Sequence, residues 1–117
     1  MKVGKSTVSS CRPPDYEIKD LGNGFDIAAN DDITYHEVID EETGDLIEVY
    51  KYSRYAAYAN INNYGEAVAA LVHLKYSLDD EVALLKKGMQ NPEDEEYVVY
   101  LEYVERCKEF ARTIWTE

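Results

Sequence analysis

Apolar and polar positions change period along the chain, and the changes mark out its elements. Tyr16 and Ile18 alternate with Glu17 and Lys19, Gly22-Asn23-Gly24 supplies a turn, and Phe25 and Ile27 resume the alternation. That pattern predicts a β-hairpin. Two further β-rich runs, "ITYHEVI" and "LIEVYKYSRY", flank Glu41-Glu42-Thr43-Gly44, with Gly44 suited to the left-handed position of a short hairpin loop. Four antiparallel strands in sequence order are the simplest arrangement of these runs. On the last strand Leu46, Glu48, Tyr50 and Tyr52 share one face, and Val49, Lys51 and Ser53 the other. The period of two fades near Arg54, and "NINN" at 60–63 reads as a turn or a helix cap.

Helical spacing takes over from Tyr64, with Val68, Leu71 and Val72 on one side. A second helix starts at Ser77, whose hydroxyl suits an N-cap. Asp79, Asp80 and Glu81 stand in its first turn and Lys86 and Lys87 in its last, as the helix dipole favours, and Gly88 is expected to end it. Asn91 followed by Pro92 and four acids predicts the start of a last helix of roughly 24 residues. Tyr97, Tyr100, Leu101, Val104, Cys107, Ala111, Ile114 and Trp115 form its apolar stripe, and the Tyr97/Leu101/Val104/Cys107/Ala111 part is expected to lie on the sheet. The predicted class is α+β: an antiparallel β-meander of about four strands, then two or three helices, with the long C-terminal helix packed on the sheet. Residues 1–14, rich in Ser, Thr and Lys and closed by Pro13-Pro14, read as an extended N-terminal arm ahead of a single domain over 15–117.

Composition narrows the class of function. With 117 residues, 45% hydrophobic and 31% charged, the chain has the balance of one globular domain. No apolar run approaches the ~18 residues of a membrane span, and the N-terminus lacks the apolar core of a signal peptide, so a cytoplasmic location is expected. The net charge of −12 is uneven: residues 1–14 carry +3, residues 15–48 carry −11 and residues 49–117 carry −4. An acidic surface argues against direct binding to nucleic acid or to an anionic membrane and favours a basic protein partner.

Candidate chemistry is sparse. His36 and His73 have no partner in sequence, and both read as structural or surface residues. "DEETGD" lacks the ligand spacing of a calcium loop and reads as a hairpin turn. Two cysteines and two distant histidines do not make a metal set, and Cys11 and Cys107 are read as free thiols, Cys107 packed as a small apolar residue on a helix. No catalytic residue, metal ligand or cofactor is assigned. The tyrosine-rich run "YKYSRYAAYANINNY" offers half-buried rings with wet hydroxyls or a recognition surface. If the chain works by presenting a surface, the candidates are Tyr50, Tyr52, Tyr55 and Tyr58 with the turn acids Asp40, Glu41, Glu42 and Asp45.

Two segments carry a resemblance. "KSTVSSCRPPDYEIKDLGNG", with "VYKYSRY" behind the hairpin, is similar to the openings of small proteins of tailed phages and prophages. "KYSLDDEVALLKKGMQNPEDEEYVVYLEYVERCKEFA" resembles their C-terminal helical pair. The resemblance implies a small accessory protein of the phage late region, near tail-fibre and lysis genes, located in the host cytoplasm or incorporated in the virion. It implies no activity. Two roles follow: a virion or tail-assembly protein that packs on itself or on a tail protein, or an acidic inhibitor of a basic host defence protein, imitating nucleic-acid charge.

Overall fold

In a computed structural model, which describes residues 2–115, the chain forms four strands and three helices. They are β1 (Lys5–Ser9), β2 (Tyr16–Asp20), β3 (Phe25–Ile39), β4 (Leu46–Ala59), α1 (Tyr64–His73), α2 (Leu78–Gln90) and α3 (Glu95–Arg112). Met1 of the predicted arm and Thr116 and Glu117 at the end of the predicted domain lie outside the described residues. The α+β class is as the pattern predicts: an antiparallel four-stranded sheet followed by helices, the longest at the C-terminal end. No helix among the described residues is long and apolar enough to cross a membrane.

The strands are built from different pieces than the alternation suggests. β2, β3 and β4 form a meander, and β1 pairs with the outer edge of β4, giving the order β1-β4-β3-β2. Part of the N-terminal arm is therefore an edge strand, with Lys5 opposite Arg54 and Ser9 opposite Tyr50. The runs expected as a second and a third strand are one strand, β3, carried through a bulge between Asp31 and Thr34. β4 does not fade at Arg54. Ala56, Ala57 and Ala59 pair with Ala28, Ile27 and Phe25, and pairing on a central strand overrides the weak β propensity of alanine.

The helices cover one face of the sheet. Ile27 and Ala29 of β3 meet Ala67, Leu71 and Val72 near α1, Leu84 of α2, and Tyr100, Tyr103, Cys107 and Ala111 of α3 in one apolar cluster. Tyr16 and Ile18 join it from β2. Asn63 caps α1 by accepting from the Glu66 N–H (2.9 Å), and Ser77 and Asp80 form a reciprocal capping box on α2.

Two helix boundaries differ from expectation. Gly88 does not end α2 but lies buried inside it, where a Cβ would overlap the Tyr97 ring. Its role is close approach between α2 and α3. Asn91 closes α2, its N–H still bonded to the Lys87 carbonyl (2.8 Å), while its side chain accepts from the Glu93 N–H (3.1 Å) and turns the chain. Asp94 caps α3, which has 18 residues. The buried face of α3 is also rotated from the predicted stripe. Tyr103 is fully buried while Leu101 is exposed. The Tyr103 hydroxyl donates to the Leu71 carbonyl (2.6 Å), so a polar-tipped residue takes the central position that apolarity alone assigns to Leu101.

Candidate functional site

The bulge in β3 organises both candidate sites. Asp32 has φ +53, a left-handed conformation that Asp tolerates better than most residues, and Asp32 and Ile33 together stand where β4 offers only Tyr52. The extra residue exchanges the faces. Before it, Ile27 and Ala29 point to the helices. After it, Thr34, His36 and Val38 continue that face, and Tyr35, Glu37 and Ile39 continue the open one, as their pairing with Lys51, Val49, Ile47 and with Tyr50, Glu48, Leu46 requires.

Beyond the bulge the sheet narrows to a ribbon. β2 pairs with β3 only over 25–29 and β1 with β4 only over 50–54, so residues 34–39 and 46–49 have no further strand on either side among the described residues. Val38, Ile39, Leu46 and Ile47 are exposed there, as is Tyr35. A two-stranded ribbon is marginal by itself, and apolar residues on both of its faces give it surface to bury against a partner. At the tip Gly44 has φ +75, the Asp40 N–H donates to the Asp45 carbonyl (2.8 Å), and the Asp40 carboxylate accepts from the Glu42 N–H (2.9 Å). Asp40 therefore fixes the turn, whereas Glu41, Glu42 and Asp45 present their charges to solvent.

Charge on the ribbon is of one sign. Residues 31–49 contain eight acids and no lysine or arginine. Glu37 stands directly opposite Glu48, a destabilising like-charge pair in an antiparallel ladder. The Tyr35 hydroxyl lies between them, 3.0 Å from Glu37 and 3.1 Å from Glu48, and its ring packs edge-on against Tyr50 (5.5 Å). Loss of solvent around the hydroxyl, and then the two carboxylates, raise the tyrosine's pKa and keep its proton in place as the shared donor.

The four predicted tyrosines do not share one surface. Tyr50 belongs to the ribbon with Tyr35, and Tyr52 stands opposite the bulge. Tyr55 points to the helix side, half-buried, its ring centre 5.6 Å from Lys75 Nζ. Tyr58 lies at the far end of β4, where its hydroxyl donates to the Asn23 carbonyl and braces the β2–β3 turn. The sequence reasoning missed Tyr35, Glu37 and Glu48. A signal was present, since a hairpin turned at Asp40–Asp45 sets Glu37 against Glu48.

A second polar cluster lies under the bulge. The Lys75 ammonium pairs with Asp31 and sits 4.5 Å from the centre of the Tyr103 ring. Tyr16 and Tyr76 pack against the Tyr103 ring, with Cys107 Sγ 4.0 Å from the Tyr16 hydroxyl. Burial pushes the Cys107 thiol up to about 11, against the opposing hydrogen bonds of Tyr103 and Tyr16, so it is held protonated and is not poised as a nucleophile. On the opposite face, Asn30 donates to Glu17 (2.7 Å) and to the Pro14 carbonyl (2.8 Å), and Arg54 pairs with Glu17. Burial opposes the charge on Glu17, but the bonds from Asn30 and Arg54 outweigh it and lower the pKa. The first cluster ties the segment after α1 to β3, and the second ties β2, β3 and β4 together. Among the described residues, no group of three or more His, Cys, Asp or Glu is placed to hold a metal ion.

Fold and site together define an acidic α+β protein whose central hairpin extends as a two-stranded ribbon. No protein-family model, no curated protein and no solved structure matches the chain.

Proposed function

We propose that this chain is a non-enzymatic protein that acts by protein–protein contact, engaging a basic protein surface through the β3–β4 ribbon. The observation that carries the reading is the exposed Glu37–Glu48 pair on an element that holds eight acids and no base over residues 31–49. Like charges held opposite one another are relieved by a cation brought from outside, and the exposed Ile39, Leu46 and Ile47 beside them supply apolar anchoring. In the phage setting that the sequence resembles, this favours a basic host defence protein over a tail component. The virion or tail-assembly role is the alternative, and it draws on the exposed apolar residues rather than on the charge.

The test uses the whole chain as bait in lysate of the cell that carries it. Three baits are compared: wild type, a D40N/E41Q/E42Q/D45N variant and an I39S/L46S variant. The reading expects a basic protein retained by wild type and lost or weakened with both variants. Its association rate should fall with salt for wild type and show a flatter salt dependence for the acid-neutralised bait. Retention that is indifferent to both sets of changes removes the ribbon from the function. Loss with I39S/L46S alone, with no salt dependence, favours the assembly role.

A further inference from the structure

The outer face of α2 carries an apolar strip that nothing among the described residues covers. Leu78, Val82, Leu85 and Met89 are spaced four, three and four residues apart, the seam of a helix pair, and their exposure runs from 45% at Val82 to 85% at Met89. The buried side of the same helix, Leu84 and Gly88, faces α3, so the strip is a second face and not part of the core. Beside it lie Asp79 near the start and Lys86 near the end, and neither forms an ion pair among the described residues.

We infer that this strip is a self-association surface, on which α2 of a second copy lies antiparallel about a two-fold axis. In that arrangement Val82 meets Leu85 of the other copy and Leu78 meets Met89. Asp79 then faces the other copy's Lys86, and the symmetry makes the same bridge twice. A parallel pairing instead sets the acidic first turns of both helices, Asp79 to Glu81, side by side. The base that Glu81 would have to reach is no remedy, because its carboxylate is already engaged by Tyr100 (2.6 Å) and His73 (2.9 Å). The charge order along α2, acids first and lysines last, is therefore self-complementary only when the helices run in opposite directions. The strip and its flanks bury on the order of 1,000 Å² in total, the size of a weak, reversible association.

The experiment measures mass by sedimentation equilibrium across a concentration series, with far-UV circular dichroism to confirm that each variant is folded. Wild type should move from monomer to dimer as concentration rises. Asp79→Lys and Lys86→Glu each replace two attractions by two repulsions and should raise the dissociation constant by about tenfold or more. Mixed together, the two single variants should form a heterodimer, since position 79 of each copy then faces the opposite charge at position 86 of the other. The double variant Asp79→Lys/Lys86→Glu should dimerise again by itself. A wild type that stays monomeric at the highest concentration overturns the inference. So does dimerisation that the single changes leave untouched, or a mixture that fails to associate.

Discussion

Replacing Asp31 with Asn should cost more stability than replacing Lys75 with Met, although each change breaks the same ion pair. The asymmetry follows from what each leaves behind. The Lys75 side chain is 9% exposed and lies among Tyr55 and Tyr103, so an ammonium without Asp31 has little water to turn to. Removing one partner of a buried pair costs ~3–5 kcal/mol, and the lower end, about 3 kcal/mol, applies because Asp31 itself is 31% exposed. Lys75→Met keeps an apolar stem against Tyr103, forfeits a cation–π contact and leaves a carboxylate that can hydrate, for about 1–2 kcal/mol. The double variant has no charge left to strand and should return to within about 1 kcal/mol of wild type. Urea unfolding of the four proteins gives the cycle. In thermal melts, Asp31→Asn should lie on the order of 10 °C below wild type for a chain of this size. Equal costs for the single variants, or a double variant as unstable as their sum, would refute the reasoning and mean that the pair is hydrated and weakly coupled.

Other outcomes follow from particular contacts. Gly88→Ala gains helix propensity worth about 1 kcal/mol but forces a Cβ into the Tyr97 ring, so it should lower the melting temperature; in a Tyr97→Ala background the same change should raise it. Stability should fall as pH rises above 9. Burial holds the Cys107 proton to about 11 against an ordinary value of 9.0, and Tyr16 and Tyr103 are shifted upward too; the unfolded chain loses these protons first, so their stabilisation is complete below pH 9 and declines above it. A melting temperature that stays level from pH 8 to 11 would contradict that. Deleting residues 2–11 removes β1 and the bonds from Lys2 to the Lys75 and His73 carbonyls, and it bares the β4 edge at Tyr50–Arg54. The shortened chain should melt lower and associate through that edge, whereas an unchanged melt would show that the sheet stands without β1.

Where the sequence was legible, one period governed one environment. β2 and the three helices each keep their period because each packs one face on the core, and the Asn63 and Ser77 caps stand next to the runs they start. The departures share a cause: a residue whose conformation was decided by a partner distant in sequence. Lys5–Ser9 carries no strand pattern of its own and becomes a strand because β4 offers it an edge. Gly88 reads as a stop until the Tyr97 ring is seen to occupy the space a side chain would need. Lys75 lies just past the first helix, and its burial is tolerable because Asp31, on the same face of β3 as Ile27 and Ala29, pairs with it. The bulge at Asp32 decides the candidate site. Without the extra residue, Tyr35, Glu37 and Ile39 would fall on the face of Ile27 and Ala29, and the Glu37–Glu48 pair would lie on the helix side. No local signal in "NDDITY" announces that shift beyond two adjacent aspartates, one of which tolerates positive φ. The acids of the ribbon were thus visible as composition and the turn at Asp40–Asp45 sets Glu37 against Glu48, but the face on which that pair stands follows from the bulge, and the bulge is seen only in the long-range pairing of β3 with β4.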